Sequence, residues 1–138
     1  MTAVASERPP SRREARRQAI EVLYQADITG ADPRDVLRAW ADAGREVDAF
    51  AATLVEGVAQ HTGEIDGILS ERSEHWAVDR MASVDRAVLR AATFELRFGR
   101  DVPPAVAIDE AVRAAKELST EESGAFVNGV LGRVAADA

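Results

Sequence analysis

The 138 residues contain no cysteine, which excludes disulfides and thiolate metal sites. No apolar run approaches the roughly 20 residues needed to span a bilayer. The charged N-terminus lacks the apolar core of a secretory signal. These absences predict a cytoplasmic protein with no membrane contact. Histidine is scarce, and neither His61 nor His75 has a second histidine or a carboxylate at HExxH spacing. There is no GxSxG, no phosphate-binding P-loop and no GxGxxG following a strand. The carboxylates lie mostly among arginines and read as a solvated surface rather than an acid/base pair. The expectation is a non-catalytic chain without cofactor or metal. Strand patterning is missing as well, because β-branched residues recur at helical spacing rather than alternating.

What is present is helical periodicity in an ordinary globular composition, 46% apolar, at a length suited to one domain. Residues 1–10, ending in Pro9-Pro10, read as a disordered arm, and residues 11–138 as a single all-helical domain. In the first helix Ala15, Ala19, Val22, Leu23 and Ala26 form one stripe, closed by Thr29-Gly30 with Gly30 just past the end. Asp32-Pro33 opens a second helix carrying Val36, Leu37 and Trp40 and stopping near Gly44. A third starts at about Glu46 and a fourth follows Gly63, with an irregular stretch from Ser73 to Ala82 pinned by Trp76. The fifth covers about Ser83–Phe98. Gly99 and Val102-Pro103-Pro104 separate it from a sixth, in which Asp109 and Arg113 form an outer i, i+4 pair. Ser119-Thr120-Glu121-Glu122 reads as a capping box with Ser119 as N-cap, opening a seventh helix that runs to about Ala135. Trp40 and Trp76 are expected as core anchors. The predicted architecture is all-α, a globular bundle of about seven helices.

Charge is unevenly spread. Residues 1–20 carry +3 while the remaining chain carries −10, giving the net −7. At about 100° per residue, Arg12, Arg13, Arg16 and Arg17 sweep one flank of the first helix beside its apolar stripe. Like charge at a helix start opposes the macrodipole, and Glu14 is the single acid among residues 11–17. Such an uncompensated cluster points to an anionic partner, and guanidinium forks suit phosphate and can stack on bases. In the last helix Val127, Val130, Leu131 and Val134 share a buried stripe from which Phe126 and Asn128 deviate. For those two residues the pattern allows either a base contact or a structural role.

Four segments together resemble the NusB family of bacterial antitermination factors. They are Arg12-Arg13-Glu14-Ala15-Arg16 with Ala19-Ile20-Glu21-Val22-Leu23-Tyr24-Gln25, then Val84-Asp85-Arg86-Ala87-Val88-Leu89-Arg90, then Ala107-Ile108-Asp109-Glu110-Ala111, and finally Phe126-Val127-Asn128-Gly129-Val130-Leu131. The resemblance spans about residues 11–135. It implies two packed helical subdomains, binding to boxA RNA of ribosomal RNA operons, a heterodimer with NusE (a small-subunit ribosomal protein), and joint loading onto elongating RNA polymerase. It further implies RNA contacts at Arg12, Arg13 and Arg16, at Phe126 and Asn128, and at Arg90 and Ser123, with Asp85 on the NusE-facing surface. Two features depart from the family: Glu14 stands where some members carry another arginine, and there is no basic C-terminal tail. They imply that the partner supplies part of the RNA surface. The alternatives are a helical protein–protein adaptor and an accessory factor of rRNA maturation or ribosome assembly. The sequence leaves open whether the arginine flank is exposed on a monomer or covered in a homodimer.

Overall fold

The computed structural model describes residues 11–74, 77–99 and 102–136. The expected disordered arm, His75 and Trp76 lie outside them. Seven α-helices and no strand occur among the described residues. They are α1 (Arg12–Thr29), α2 (Pro33–Asp42), α3 (Ala49–Gln60), α4 (Thr62–Arg72), α5 (Ser83–Phe98), α6 (Pro104–Leu118) and α7 (Glu121–Ala136), with a 3₁₀ turn at Val78–Arg80 before α5.

Local chemistry sets most boundaries. Gly30 closes α1 in the left-handed region at φ 73°, and its N–H donates to the Ala26 carbonyl. Asp32 caps α2 by accepting from the Arg34 N–H, with Pro33 in the first turn. Three boundaries differ from expectation. The third helix begins at Ala49 rather than near Glu46, because Asp48 accepts from the Phe50 N–H at 2.8 Å and Gln18 holds the preceding connector at the Glu46 carbonyl and the Asp48 N–H. The fourth begins at Thr62, directly after His61 interrupts the helical path at φ −114° and before Gly63. The cap of α7 is Thr120 rather than Ser119: Thr120 Oγ1 accepts from the Ser123 N–H at 3.0 Å, while the Ser119 N–H still bonds back to Ala115 and closes α6.

The helices enclose two apolar clusters. One joins Ala15, Ala19, Val22 and Ala26 of α1 to Val36 and Trp40 of α2 and Ala51, Leu54 and Val55 of α3. The larger is built on α4, α5, α6 and α7 and includes Ile65, Leu69, Val88, Leu89, Val127, Val130, Leu131 and Val134. Each fully buried aliphatic side chain contributes roughly 1.5–3 kcal/mol. Helix α1 serves both clusters, its alanine stripe facing one while Ile20 and Leu23 face the other. Phe94 of α5 also packs against both, and a Cβ on Gly57 of α3 would lie 2.2 Å from its ring carbons. The close approach of α3 and α5 at that ring therefore requires glycine. Trp40 is buried, as expected of an anchor, and its Nε1 donates to Gln25 at 3.0 Å.

Charged clasps tie α1 and α4 to α5. Arg86 forks onto Asp27 at 3.1 and 2.6 Å and also donates to the Val78 and Met81 carbonyls, tying α1 to the 3₁₀ turn. Arg90 forks onto Asp66 at 2.9 and 2.8 Å, linking α5 to α4. Burial alone would raise the Asp27 carboxyl, but hydrogen bonds from Arg86 and Ser83 and the charges of Arg86 and Arg90 hold it below its usual range. A lowered folded-state value stabilises above the unfolded carboxylate range and is lost as pH falls through the folded value. Urea midpoints of wild type and Asp27→Asn should therefore differ by a constant amount above about pH 5 and converge in more acid solution. A gap that persists to low pH would contradict an ionised clasp.

Candidate nucleic-acid interface

The start of α1 is built by a capping box. Ser11 Oγ accepts from the Glu14 N–H at 3.2 Å, and the Glu14 carboxylate accepts from the Ser11 N–H at 3.1 Å. Glu14 thus has a structural task and relieves the positive helix end. The S-x-x-E spacing could have disclosed this cap, whereas charge alone marks Glu14 only as a lone acid among arginines.

The four arginines do not form one exposed flank. Arg16 is buried, with its side chain 10% exposed, and forks onto Glu95 of α5 with both bonds at 2.8 Å. The hydrogen bonds to Glu95 raise the Arg16 pKa against the opposing cost of burial. Arg13 is half exposed and forks onto Glu110 of α6 at 2.9 and 3.0 Å. Hydrogen bonds from Arg13 hold the Glu110 carboxyl below its usual range, against partial burial and with help from the charges of Arg13, Arg16 and Arg113. Arg17 pairs with Glu117 of α6. Arg12 is exposed, and its guanidinium lies 3.9 Å from the centre of the Phe50 ring with no described carboxylate paired to it. The sequence-based view of the cluster as uncompensated is therefore corrected. Three of the four charges are matched from α5 and α6, by residues 79 to 100 positions away in the chain. No local pattern announces such partners.

A second feature lies where the first turns of α5 and α7 meet the 3₁₀ turn. An open groove of about 580 Å³ is lined by Arg80, Met81, Asp85, Ser123 and Phe126, among others. It gathers three residues singled out in the sequence. Asp85 is 8% exposed, and its Oδ1 is fully buried without a hydrogen-bond donor among the described residues. An unmatched buried acceptor of this kind costs about 1–3 kcal/mol. The Ser123 hydroxyl is occupied in the α6–α7 turn, donating to Ser119 Oγ at 3.0 Å. Phe126 is half-buried and packs against the larger core.

The other two candidates stand apart. Asn128 is exposed in a separate groove between α6 and α7, with Asp109, Arg113, Lys116 and Glu117, so it shares a side with the Arg17 clasp rather than with Phe126. Arg113 pairs with Glu110 at i+3 rather than with Asp109. Arg90 is committed to Asp66 and, at 3.5 Å, to Asp27. Among the described residues no cluster of three His, Asp or Glu side chains could hold a metal, and no helix is long and apolar enough to cross a membrane.

These environments separate the arginines by role. Arg16→Ala leaves Glu95 buried and unpaired and should cost about 3 kcal/mol of stability by urea denaturation. Arg13→Ala should leave the midpoint near that of wild type. Equal small effects would show that Arg16 is not a structural strut.

The same architecture recurs in known proteins. The family model for the NusB family matches residues 13–136. The transcription antitermination protein NusB of Kineococcus radiotolerans is 50% identical over 126 residues, covering 91% of this chain and 93% of that protein. The Geobacillus kaustophilus protein of the same name is 44% identical, covering 91% and 95%. Among solved structures, T. maritima NusB superposes with a TM-score of 0.84 at 36% identity, covering 94% of this chain and 93% of that one. A NusB solved with NusE and double-stranded RNA superposes with a TM-score of 0.80 at 31% identity, covering 92% and 97%. With its helices, charged clasps and both candidate surfaces carried on this framework, the chain belongs to the NusB family of transcription antitermination proteins.

Proposed function

We propose that this chain is a non-catalytic, cytoplasmic antitermination factor. It binds boxA-type nascent RNA of ribosomal RNA operons together with a NusE-type ribosomal protein and joins elongating RNA polymerase. The observation that carries this assignment is the exposed arginine end of α1. There Arg12 is held over Phe50 with no carboxylate partner among the described residues, and Arg13 offers a half-exposed fork. Both can meet phosphate, and a stacked guanidinium presents its free face to a base. Arg16 acts from the interior by fixing α1 against α5, and Arg90 by fixing α5 against α4.

The groove at α5 and α7 supplies the second contact. The partly exposed Phe126 ring suits base stacking. Asp85 Oδ1, without a donor among the described residues, suits a basic or N–H-bearing group of the protein partner. Ser123 shapes the groove from the turn, and Asn128 adds a backbone contact on the arginine side. Support comes also from the likeness to a NusB that carries NusE and RNA.

RNA binding measured with and without the NusE-type partner tests the assignment. With the partner, boxA-like RNA should bind more tightly than a scrambled RNA of equal length. Arg12→Ala with Arg13→Ala should weaken both RNAs roughly tenfold and flatten the salt dependence. Phe126→Leu, which keeps apolar bulk, should weaken boxA binding while preserving thermal stability. Equal binding of boxA and scrambled RNA in the presence of the partner would sink the assignment and favour a protein–protein adaptor.

A further inference from the structure

Helix α6 presents Glu110 and Glu117 seven residues apart, two helical turns along one face, to Arg13 and Arg17 on α1. The two pairs are unlike the buried Arg16–Glu95 strut beside them. Arg13 keeps 53% of its side chain exposed, and Arg17 and Glu117 keep 33% and 49%. Glu110 is the more enclosed member at 15%, but each pair has one member about half exposed, so each borders solvent and can open more readily than the Arg16–Glu95 pair. The arginines they hold are two of the three on α1 that reach solvent. Glu110 also takes Arg113 at 3.8 Å, so one acidic side chain restrains cations from both helices.

We propose that Glu110 and Glu117 form an autoinhibitory clasp: internal anions that occupy Arg13 and Arg17 in the free protein and must be displaced by RNA phosphates. The inference rests on the RNA-binding role assigned to the α1 arginines. In the free protein Arg12 is then the α1 arginine open to a first encounter, and Arg13 and Arg17 engage by exchange, carboxylate for phosphate. The exchange lowers affinity for any polyanion by the same factor, because neither clasp touches a base. It keeps an arginine-rich helix on an acidic body from binding nucleic acid indiscriminately. It also makes tight binding depend on contacts outside the clasp.

The test compares four variants of the full chain by RNA titration at low and moderate salt, using boxA-like and scrambled single-stranded RNA. Glu110→Gln with Glu117→Gln should tighten both RNAs by a similar factor, about three- to tenfold at low salt. The gain should shrink as salt screens the clasp itself. Asp109→Asn removes a charge from the same helix without releasing an arginine, and should change affinity less than twofold. Arg13→Ala with Arg17→Ala should weaken both RNAs, and adding the two glutamine substitutions to that variant should restore little. Circular dichroism establishes that each variant is folded. If the double glutamine variant binds no more tightly than Asp109→Asn while the arginine variant is weakened, the clasp is overturned and the RNA role of α1 stands. If removing both arginines leaves RNA binding unchanged, the RNA role of this flank falls, and the clasp with it.

Discussion

The buried pair between Arg16 and Glu95 is the constraint on which the surface of this protein depends. It fixes the start of α1 against α5 at a point where both side chains are withdrawn from water. Neither charge is tolerable there without the other, since an unpaired buried charge costs several kcal/mol. The pair therefore sets where α1 lies relative to α5, and so where Arg12, Arg13 and Arg17 emerge. Arg12 falls onto Phe50 of α3, and Arg13 and Arg17 fall onto α6. One interior fork thus distributes three surface arginines among two other helices.

The same logic connects the two candidate surfaces. Helix α5 carries Glu95 near its end and Asp85 in its first turn. The arginine end of α1 is anchored to one part of α5, and the Asp85–Phe126 groove is built on the other. Asp27, Arg86, Arg90 and Asp66 brace the middle of that span, joining α1, α4 and α5. A rigid α5 consequently holds the arginine end of α1 and the Asp85–Phe126 groove in a fixed relation. This suits a protein whose proposed ligand is shared with a second polypeptide.

Much of this was legible in the sequence, and the rest was hidden for physical reasons. The apolar stripes of α1 and α7, the Gly30 and Asp32 boundaries and the burial of Trp40 follow from local periodicity and capping chemistry, and the structure carries them. The cap at Thr120 rather than Ser119 was a one-residue ambiguity between adjacent hydroxyl residues, settled by which N–H remained bound to the preceding helix. The fate of the arginines was not legible. A helical wheel places Arg16 at the edge of the apolar stripe, but whether that edge is solvent or interior depends on Glu95, far away in the chain. Asp85 likewise looks like an ordinary first-turn acid until the fold buries it. Long-range charge pairing leaves no periodic trace, so composition suggested a free basic patch where the fold makes a largely neutralised one.

The central claim is that Arg16 and Glu95 act as one unit. A double-mutant cycle with Arg16→Leu, Glu95→Leu and the combined variant, read by urea denaturation, tests it most directly. Each single substitution should destabilise by about 3 kcal/mol, and the combined variant should be no less stable than either, giving a coupling of at least about 3 kcal/mol. Single effects that simply add, within about 0.5 kcal/mol, would contradict the pair as the strut that positions the arginine end of α1.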